Sequence, residues 1–207
     1  MSYSQFKLKE LKSQFGLKIL EEEEIFSNLE PVQPSSLLRE ILARNLPLAL
    51  RIDTEKARSE MIVAQVLIEL REIFQGQISL FSGREFDIDQ SQGLNGTCDF
   101  LISHSPEQLS VEAPAAILVE AKNDNIRGGI PQCLAEMVAA RVFNDRENNT
   151  IPCIYGGVTT GSIWKFLKLE KDLVYLEKGE HYINDLDSLF AILVQIVETS
   201  RPTSPDV

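Results

Sequence analysis

Two short strand-like runs that contain charged residues place the strongest constraint on the fold of this chain. Residues 97–102 and 115–122 are rich in apolar and β-branched residues, and each predicts a strand. The first run contains Asp99, and the second ends in Glu120 and Lys122. Side chains alternate across a strand, so Glu120 and Lys122 point to the same face. Burying such carboxylates costs desolvation free energy, which a metal ion would offset. The pattern therefore predicts a divalent-metal site.

Composition indicates one globular domain. The chain has 207 residues, 43% of them apolar and 25% charged, which is enough for a single α/β domain with a full core. The formal net charge of −11 argues against a protein that coats nucleic acid with a broad basic surface. A local basic groove remains compatible with that charge.

The spacing of the cysteines and the absence of long apolar segments favour a cytoplasmic protein. Cys98, Cys133 and Cys153 are far apart in the sequence, as expected of buried free thiols in a reducing compartment. The first ten residues lack the apolar core of a signal peptide, and no apolar run is long enough to span a membrane. We therefore expect no membrane partner.

The order of predicted elements indicates an α/β fold with a mixed central β-sheet flanked by helices. Residues 1–35 are predicted as an N-terminal helical arm, 36–200 as a single domain and 201–207 as a disordered tail. Ser35 is expected to cap a helix that ends before Pro47. Gly128 and Gly129 are expected to precede the next-to-last helix. Predicted helices span residues 36–45, 55–75, 130–143 and 184–199; predicted strands span 78–81, 97–102, 115–122, 151–158, 164–169 and 173–176.

The two charged strands carry a family resemblance. Residues 96–100, Gly-Thr-Cys-Asp-Phe, and 118–122, Leu-Val-Glu-Ala-Lys, resemble the motif of the PD-(D/E)XK nuclease superfamily. Cys98 precedes Asp99, where the family name has proline. The resemblance covers about residues 53–145 and implies a restriction-endonuclease-like fold for the main domain.

The resemblance implies roles for individual residues. Asp99, Glu120 and the main-chain carbonyl of Ala121 would coordinate Mg²⁺ or Mn²⁺, which favour oxygen ligands. Lys122 would position or activate a water molecule, or neutralise developing charge. Taken singly, a residue like Asp99 is more often a turn residue at the start of a strand, and a pair like Glu120 and Lys122 is more often an ion pair on an edge strand.

The family commonly has a further glutamate on the preceding helix, and Glu60 is the candidate. At 100° per residue, Glu60 falls within about 60° of three apolar positions: Val63, Leu67 and Phe74. A carboxylate on such a stripe needs a partner or a metal ion. The alternative is an acidic residue at a helix start, where the helix dipole favours negative charge.

Gln132 and Arg127 also join the predicted site. Gln132 and Glu136 share a helical face, and Gln132 is similar in position to the Q-x-x-x-Y glutamine of the RecB-like branch, with Glu136 in place of tyrosine. Gln132 would orient catalytic groups, or form a polar pair with Glu136 on an ordinary helix. Arg127, with Lys122, would supply positive charge to a phosphate, or lie in a hinge without contact to substrate.

These features give one expected function and two alternatives. The first is a metal-dependent nuclease that hydrolyses phosphodiester bonds of DNA or RNA. The second is a catalytically silent nuclease-fold protein that serves as a binding or assembly module. The third is an accessory subunit whose partner supplies the basic groove. Expected partners are nucleic acid, held by weak or local contacts, and a second copy of the chain or another protein.

Overall fold

The computed structural model describes residues 2–202, except for the side chain of Glu22. Its centre is a mixed sheet of eight strands with helices packed on both faces. The strands are β1 (Lys18–Glu23), β2 (Ser79–Glu85), β3 (Thr97–Ser103), β4 (Ala115–Ala121), β5 (Ile154–Thr159), β6 (Ile163–Glu170), β7 (Leu173–Glu177) and β8 (His181–Tyr182). The helices are α1 (Leu8–Phe15), α2 (Ser36–Ile52), α3 (Glu55–Arg58), α4 (Ala64–Ile73), α5 (Ile126–Arg146) and α6 (Leu186–Thr199).

The sheet order is β1-β7-β6-β5-β4-β3-β2, with β8 beside β6. The pairs β1–β7 and β4–β5 are parallel, and the other pairs are antiparallel. One face packs against α2, α4 and α6, and the other against α1 and α5. Strand β4 is buried along its whole length at the centre of this arrangement. The predicted α/β class, with a mixed sheet flanked by helices, is confirmed.

The segment predicted as an N-terminal arm joins the sheet. Strand β1 lies at the sheet edge in parallel register with β7, and Lys18 pairs with Leu173. Tyr3 and Leu11 are buried in the layer that contains α5. Residues 2–35 therefore contribute a strand and buried side chains to the same core as residues 36–200.

The predicted end of the first long helix at Pro47 is wrong. Ser35 caps α2 as expected, since its hydroxyl accepts a hydrogen bond from the Leu38 amide at 3.2 Å. The helix continues through Pro47 to Ile52. Proline biases its predecessor against helix but does not forbid it. Leu42 and Ala49, buried on either side of Pro47, hold the helix against the core.

The predicted helix over residues 55–75 forms, but a π-helical turn at Ser59–Val63 separates α3 from α4. Gly76 follows with a φ of +71°, as expected of a glycine that ends a helix. A π turn contains more residues than an α turn, so each residue advances less than 100° around the axis. Helical-wheel positions calculated across this turn are therefore displaced.

Two other element boundaries differ from prediction, and most of the predicted tail lies outside the described residues. Strand β2 continues through the predicted turn at residues 82–83, with Gly83 accommodated at a φ of +62°. Helix α5 begins at Ile126, before the two glycines, with Asn125 as its cap. Residues 203–207 of the predicted tail lie outside the described residues. Among residues 2–202, no helix combines the length and apolar character needed to cross a bilayer.

Candidate functional site

The site begins where β3 and β4 separate. The last residue pair between these strands near the charged ends is Phe100 with Val119. Beyond this pair, the Ala121 amide donates its hydrogen bond to the Asp99 carboxylate, at 2.8 Å, rather than to a backbone carbonyl. This side-chain contact holds Asp99 next to the end of β4, where Glu120 lies.

Glu120 is a buried carboxylate with an unsatisfied oxygen. Its side chain is 1% exposed, and its Oε1 accepts a hydrogen bond from the Lys122 ammonium. Its Oε2 is buried and has no hydrogen-bond partner among the described residues. Burial and, after it, the Asp99 charge together raise the pKa of Glu120 to about 7, against the opposing effect of Lys122. Glu120 therefore exchanges a proton near neutral pH.

Lys122 is the cation of the site. Its side chain is 21% exposed, and its ammonium lies 3.4 Å from Gln132 Oε1 and 4.0 Å from Glu55 Oε2. Burial alone would lower the pKa of Lys122, but the carboxylates of Glu120, Glu55 and Asp99 more than offset it, and the pKa is raised. An ammonium of raised pKa stays protonated at neutral pH, so Lys122 is a hydrogen-bond donor and a charge neutraliser rather than a general base.

Glu136 is a second buried acid, which the sequence did not place in the site. Its side chain is 0% exposed, its Oε1 accepts a hydrogen bond from Gln132 Nε2 at 3.3 Å, and its Oε2 has no described partner. The Glu136 and Glu120 carboxyl groups lie within hydrogen-bonding reach of each other, which requires a proton on one of them. Burial, followed by the Glu120 charge, raises the pKa of Glu136 well above its ordinary value.

Gln132 closes a ring of four polar side chains. It donates to Glu136 and accepts from Lys122, while Lys122 donates to Glu120 and Glu120 meets Glu136. The structure thus brings four predicted residues together: Asp99, Glu120, Lys122 and Gln132. The ring fixes the Lys122 ammonium between two oxygen acceptors, because Glu120 and Glu136 are buried, Lys122 and Gln132 are partly buried, and the contacts are mutual.

Glu60 does not lie on the buried stripe that the sequence predicts. Its side chain is 62% exposed and pairs with Lys56 at 3.5 Å. The π turn explains the difference, because it shifts Glu60 relative to the apolar positions that follow. The acid of this helical segment that approaches Lys122 is Glu55, one turn earlier. Its position in the first turn after the Thr54 cap was visible in the sequence, but the apolar stripe of the helical wheel favoured Glu60.

Arg127 lies beside the site rather than in it. It is exposed in the first turn of α5 and lines a groove of about 440 Å³ together with residues of β6 and β7. None of the four residues of the ring lines this groove.

The oxygen ligands of the site suit a hard divalent cation, although they are not preassembled as a metal centre. The Oε2 atoms of Glu120 and Glu136 have no described partner apart from the proton that the two carboxyl groups can share, and a bound cation would satisfy them instead. Within residues 2–202, however, no three His, Cys, Asp or Glu side chains form a group with metal-binding geometry. Cation binding would therefore require the Asp99 and Glu120 carboxylates to turn toward a common point.

Comparison with protein-family models and with curated proteins finds no match to this chain.

Gly129 allows α5 to approach Lys122, and we expect Gly129→Ala to disturb the site. A Cβ at this position would lie 2.7 Å from Val158 Cγ1 and 3.0 Å from Lys122 Cγ. We expect the free energy of unfolding to fall by about 1–3 kcal/mol, as measured by urea denaturation, with displacement of Lys122. Gly157→Ala is the control, since its Cβ would have no neighbour closer than 3.5 Å. Equal stability of the two variants would contradict the proposed close packing.

Glu60→Gln tests the correction to the predicted site. Because the Glu60–Lys56 pair is exposed, we expect the variant to change the free energy of unfolding by less than about 0.5 kcal/mol. We also expect Mn²⁺ affinity by calorimetry to equal that of the wild-type protein. A loss of Mn²⁺ binding would return Glu60 to the metal site.

Proposed function

We propose that this protein is a divalent-cation-dependent nuclease of the PD-(D/E)XK superfamily, with a restriction-endonuclease-like fold, that hydrolyses phosphodiester bonds of DNA or RNA. The observation that carries the proposal is the buried Glu120, paired with Lys122, next to Asp99 and with one oxygen unsatisfied. Burial of charged groups without an evident structural purpose is typical of catalytic sites. Their order and spacing match the motif.

Each residue of the predicted site that the structure brings together has a part in that chemistry. Asp99 and Glu120, with the main-chain carbonyl of Ala121, would hold Mg²⁺ or Mn²⁺, which supplies a water of lowered pKa and stabilises charge on the phosphate. Lys122 would donate hydrogen bonds to the attacking water or to a phosphate oxygen. Gln132 would hold the Lys122 ammonium in position through its Oε1.

Glu136 gives the site a proton-dependent partner for Glu120. When Glu136 is protonated, it can donate a hydrogen bond to the Glu120 carboxylate and keep that group in the ionised form that binds a cation. This role fits a residue that is fully buried behind Glu120 and is itself hydrogen-bonded by Gln132.

One observation favours the alternative of a catalytically silent binding or assembly module. The Lys122 ammonium already contacts both Glu120 and Gln132, so the ring balances much of its own charge without a cation. The net charge of −11 also slows approach to nucleic acid. The two functions differ in whether the site takes up a divalent ion.

Cation binding distinguishes them directly. We expect Mn²⁺ and Mg²⁺ to raise the melting temperature of the wild-type protein and to give a calorimetric binding signal that Glu120→Gln removes. Glu60→Gln serves as the matched control, because it replaces an exposed glutamate outside the ring. The protein should also nick supercoiled plasmid or cut single strands with either ion. If neither ion binds and no substrate is cut, the silent module is the better description.

A further inference from the structure

Arg58 is a largely buried cation near the site that the proposed mechanism does not use. It is the last residue of α3, and its side chain is 12% exposed. Its Nε donates to Asn123 Oδ1 and its Nη1 to the Thr160 carbonyl, each at 3.0 Å, while its Nη2 donates to Asp53 Oδ1 at 2.9 Å. Asp53 is 62% exposed, so water screens this ion pair, and the other two acceptors are uncharged. Because a guanidinium stays charged, its burial costs desolvation free energy that a neutral side chain would not, which indicates a role beyond packing.

Two of these contacts lie directly beyond the ends of β4 and β5. The Lys122 amide donates to the Thr159 carbonyl at 2.7 Å, just after the last residue pair of the two strands. Asn123 and Thr160 are the next residues along each chain, and both are bound by Arg58. Arg58 therefore joins the two chain segments at the point where the strand pairing stops. The backbone of Lys122 is held by the Thr159 carbonyl and, through the next residue, by the guanidinium.

Helix α3 reaches the site through a close fit between the π turn and the connection from β5 to β6. Gly161 in this connection has a φ of +79°, and a Cβ there would lie 3.1 Å from Ile62 Cδ1 in the π turn. The π turn begins directly after Arg58, so it determines the direction in which α3 leaves α4. Glu55, one turn before Arg58, has its Oε2 4.0 Å from Lys122 Nζ. Single π turns within helices are frequent at functional sites.

We propose that Arg58 is a positioning residue of the site: it ties α3 to the residues that follow β4 and β5, and so fixes the backbone that carries Lys122. The inference rests on the proposed function, in which Lys122 must meet a water molecule or a phosphate oxygen in a defined position. The rate of such a reaction is sensitive to a misplacement of about 1 Å. The rigid guanidinium fork suits this task, because its donors reach acceptors on three segments at once. Arg58 acts through Lys122 and does not itself touch the substrate.

Amide hydrogen exchange, followed by NMR in the metal-free protein, tests the position of Lys122 without any need for cleavage. We expect Arg58→Met to lower the protection of the Lys122 amide about tenfold relative to amides in the middle of β4, because the chain ends beyond the last residue pair are released. Arg71→Met is the matched control: it removes an arginine of α4 that pairs with the exposed Glu72, and it should leave this protection unchanged. Asn123→Ala removes one acceptor of Arg58 and should act in the same direction as Arg58→Met, so the test does not depend on the folding of one variant.

A double-mutant cycle of cleavage rates separates positioning from stability. We expect Arg58→Met to reduce kcat about tenfold, with KM and Mn²⁺ affinity close to wild type, and to cause no further loss in a Lys122→Met background. A purely structural role would reduce the rate by the same factor in both backgrounds. Arg58→Lys keeps the charge but replaces the fork by a single nitrogen, so it should resemble Arg58→Met rather than wild type.

Three results would overturn the inference: unchanged protection of the Lys122 amide in both Arg58→Met and Asn123→Ala, wild-type behaviour of Arg58→Lys, or an equal factor of rate loss with and without Lys122. The outcome is separable from the proposed function. Loss of protection at Lys122 in a protein that cuts no substrate with either cation would support the positioning of Lys122 and refute hydrolysis. Cleavage by the wild-type protein that Arg58→Met leaves unchanged would refute the positioning role alone.

Discussion

Lys122→Met should reduce Mn²⁺-dependent cleavage at least about 10²–10³-fold, the range observed when a preorganised donor to a developing charge is removed. Lys122 is the cation hydrogen-bonded to the buried Glu120, and its raised pKa keeps it charged in the assay. Methionine keeps most of the side-chain length and removes the charge. The measurement is the rate of plasmid nicking at saturating Mn²⁺, with the melting temperature recorded for the same samples.

The variant also lowers stability, by an amount that depends on pH. Without its cation, Glu120 takes up a proton more readily, so the variant should lose little stability at pH 6 and more at pH 8. Lys56→Met is the matched control, because it breaks an exposed lysine–glutamate pair and should leave both cleavage and melting temperature close to wild type. Retained cleavage in a folded Lys122→Met protein would exclude the proposed active site.

The free energy of unfolding of the metal-free protein should fall as pH rises from about 5 to 8. The folded protein holds Glu120 at a pKa of about 7, against an ordinary value of 4.5, so it binds more protons than the unfolded chain in this range. Stability from this group is complete below pH 4.5 and is lost as pH passes 7. At 1.36 kcal/mol per pKa unit, the loss from Glu120 is about 3 kcal/mol. Glu136, also raised, adds to it.

Urea unfolding followed by the fluorescence of Trp164, the one tryptophan of the chain, measures this slope at each pH. Glu136→Gln should flatten it and make the variant more stable than wild type at pH 8, because the amide stays neutral and can donate to Glu120. Glu60→Gln should keep the wild-type slope. A stability that rises between pH 5 and 8 would show that the two carboxyl groups do not share a buried site.

The sheet and the charged strand ends could be predicted from the sequence because they depend on local pattern. The continuous apolar run of β4 and the alternate placing of Glu120 and Lys122 need no knowledge of the rest of the fold. The convergence of residues 99, 120, 122 and 132 could be predicted because the order of the elements that contain them was predicted correctly.

The features that the sequence did not predict depend on tertiary packing. The N-terminal segment covers part of α5, since Tyr3 and Leu11 are buried in the layer that contains this helix. Without knowledge of that packing, the sequence offers Glu136 only as the partner of Gln132 on a shared helical face. The position of Glu60 depends on a π turn, which has no reliable sequence pattern, and the continuation of α2 through Pro47 depends on core contacts of its neighbours.

Strand β1 has a consequence for how two copies of this chain could associate. It forms one outer edge of the sheet and contains three consecutive glutamates, at residues 21–23. Two such strands placed side by side would bring rows of like charge together, which disfavours a continuous intermolecular sheet. Association of two copies through this edge is therefore disfavoured, and the glutamates protect it from aggregation.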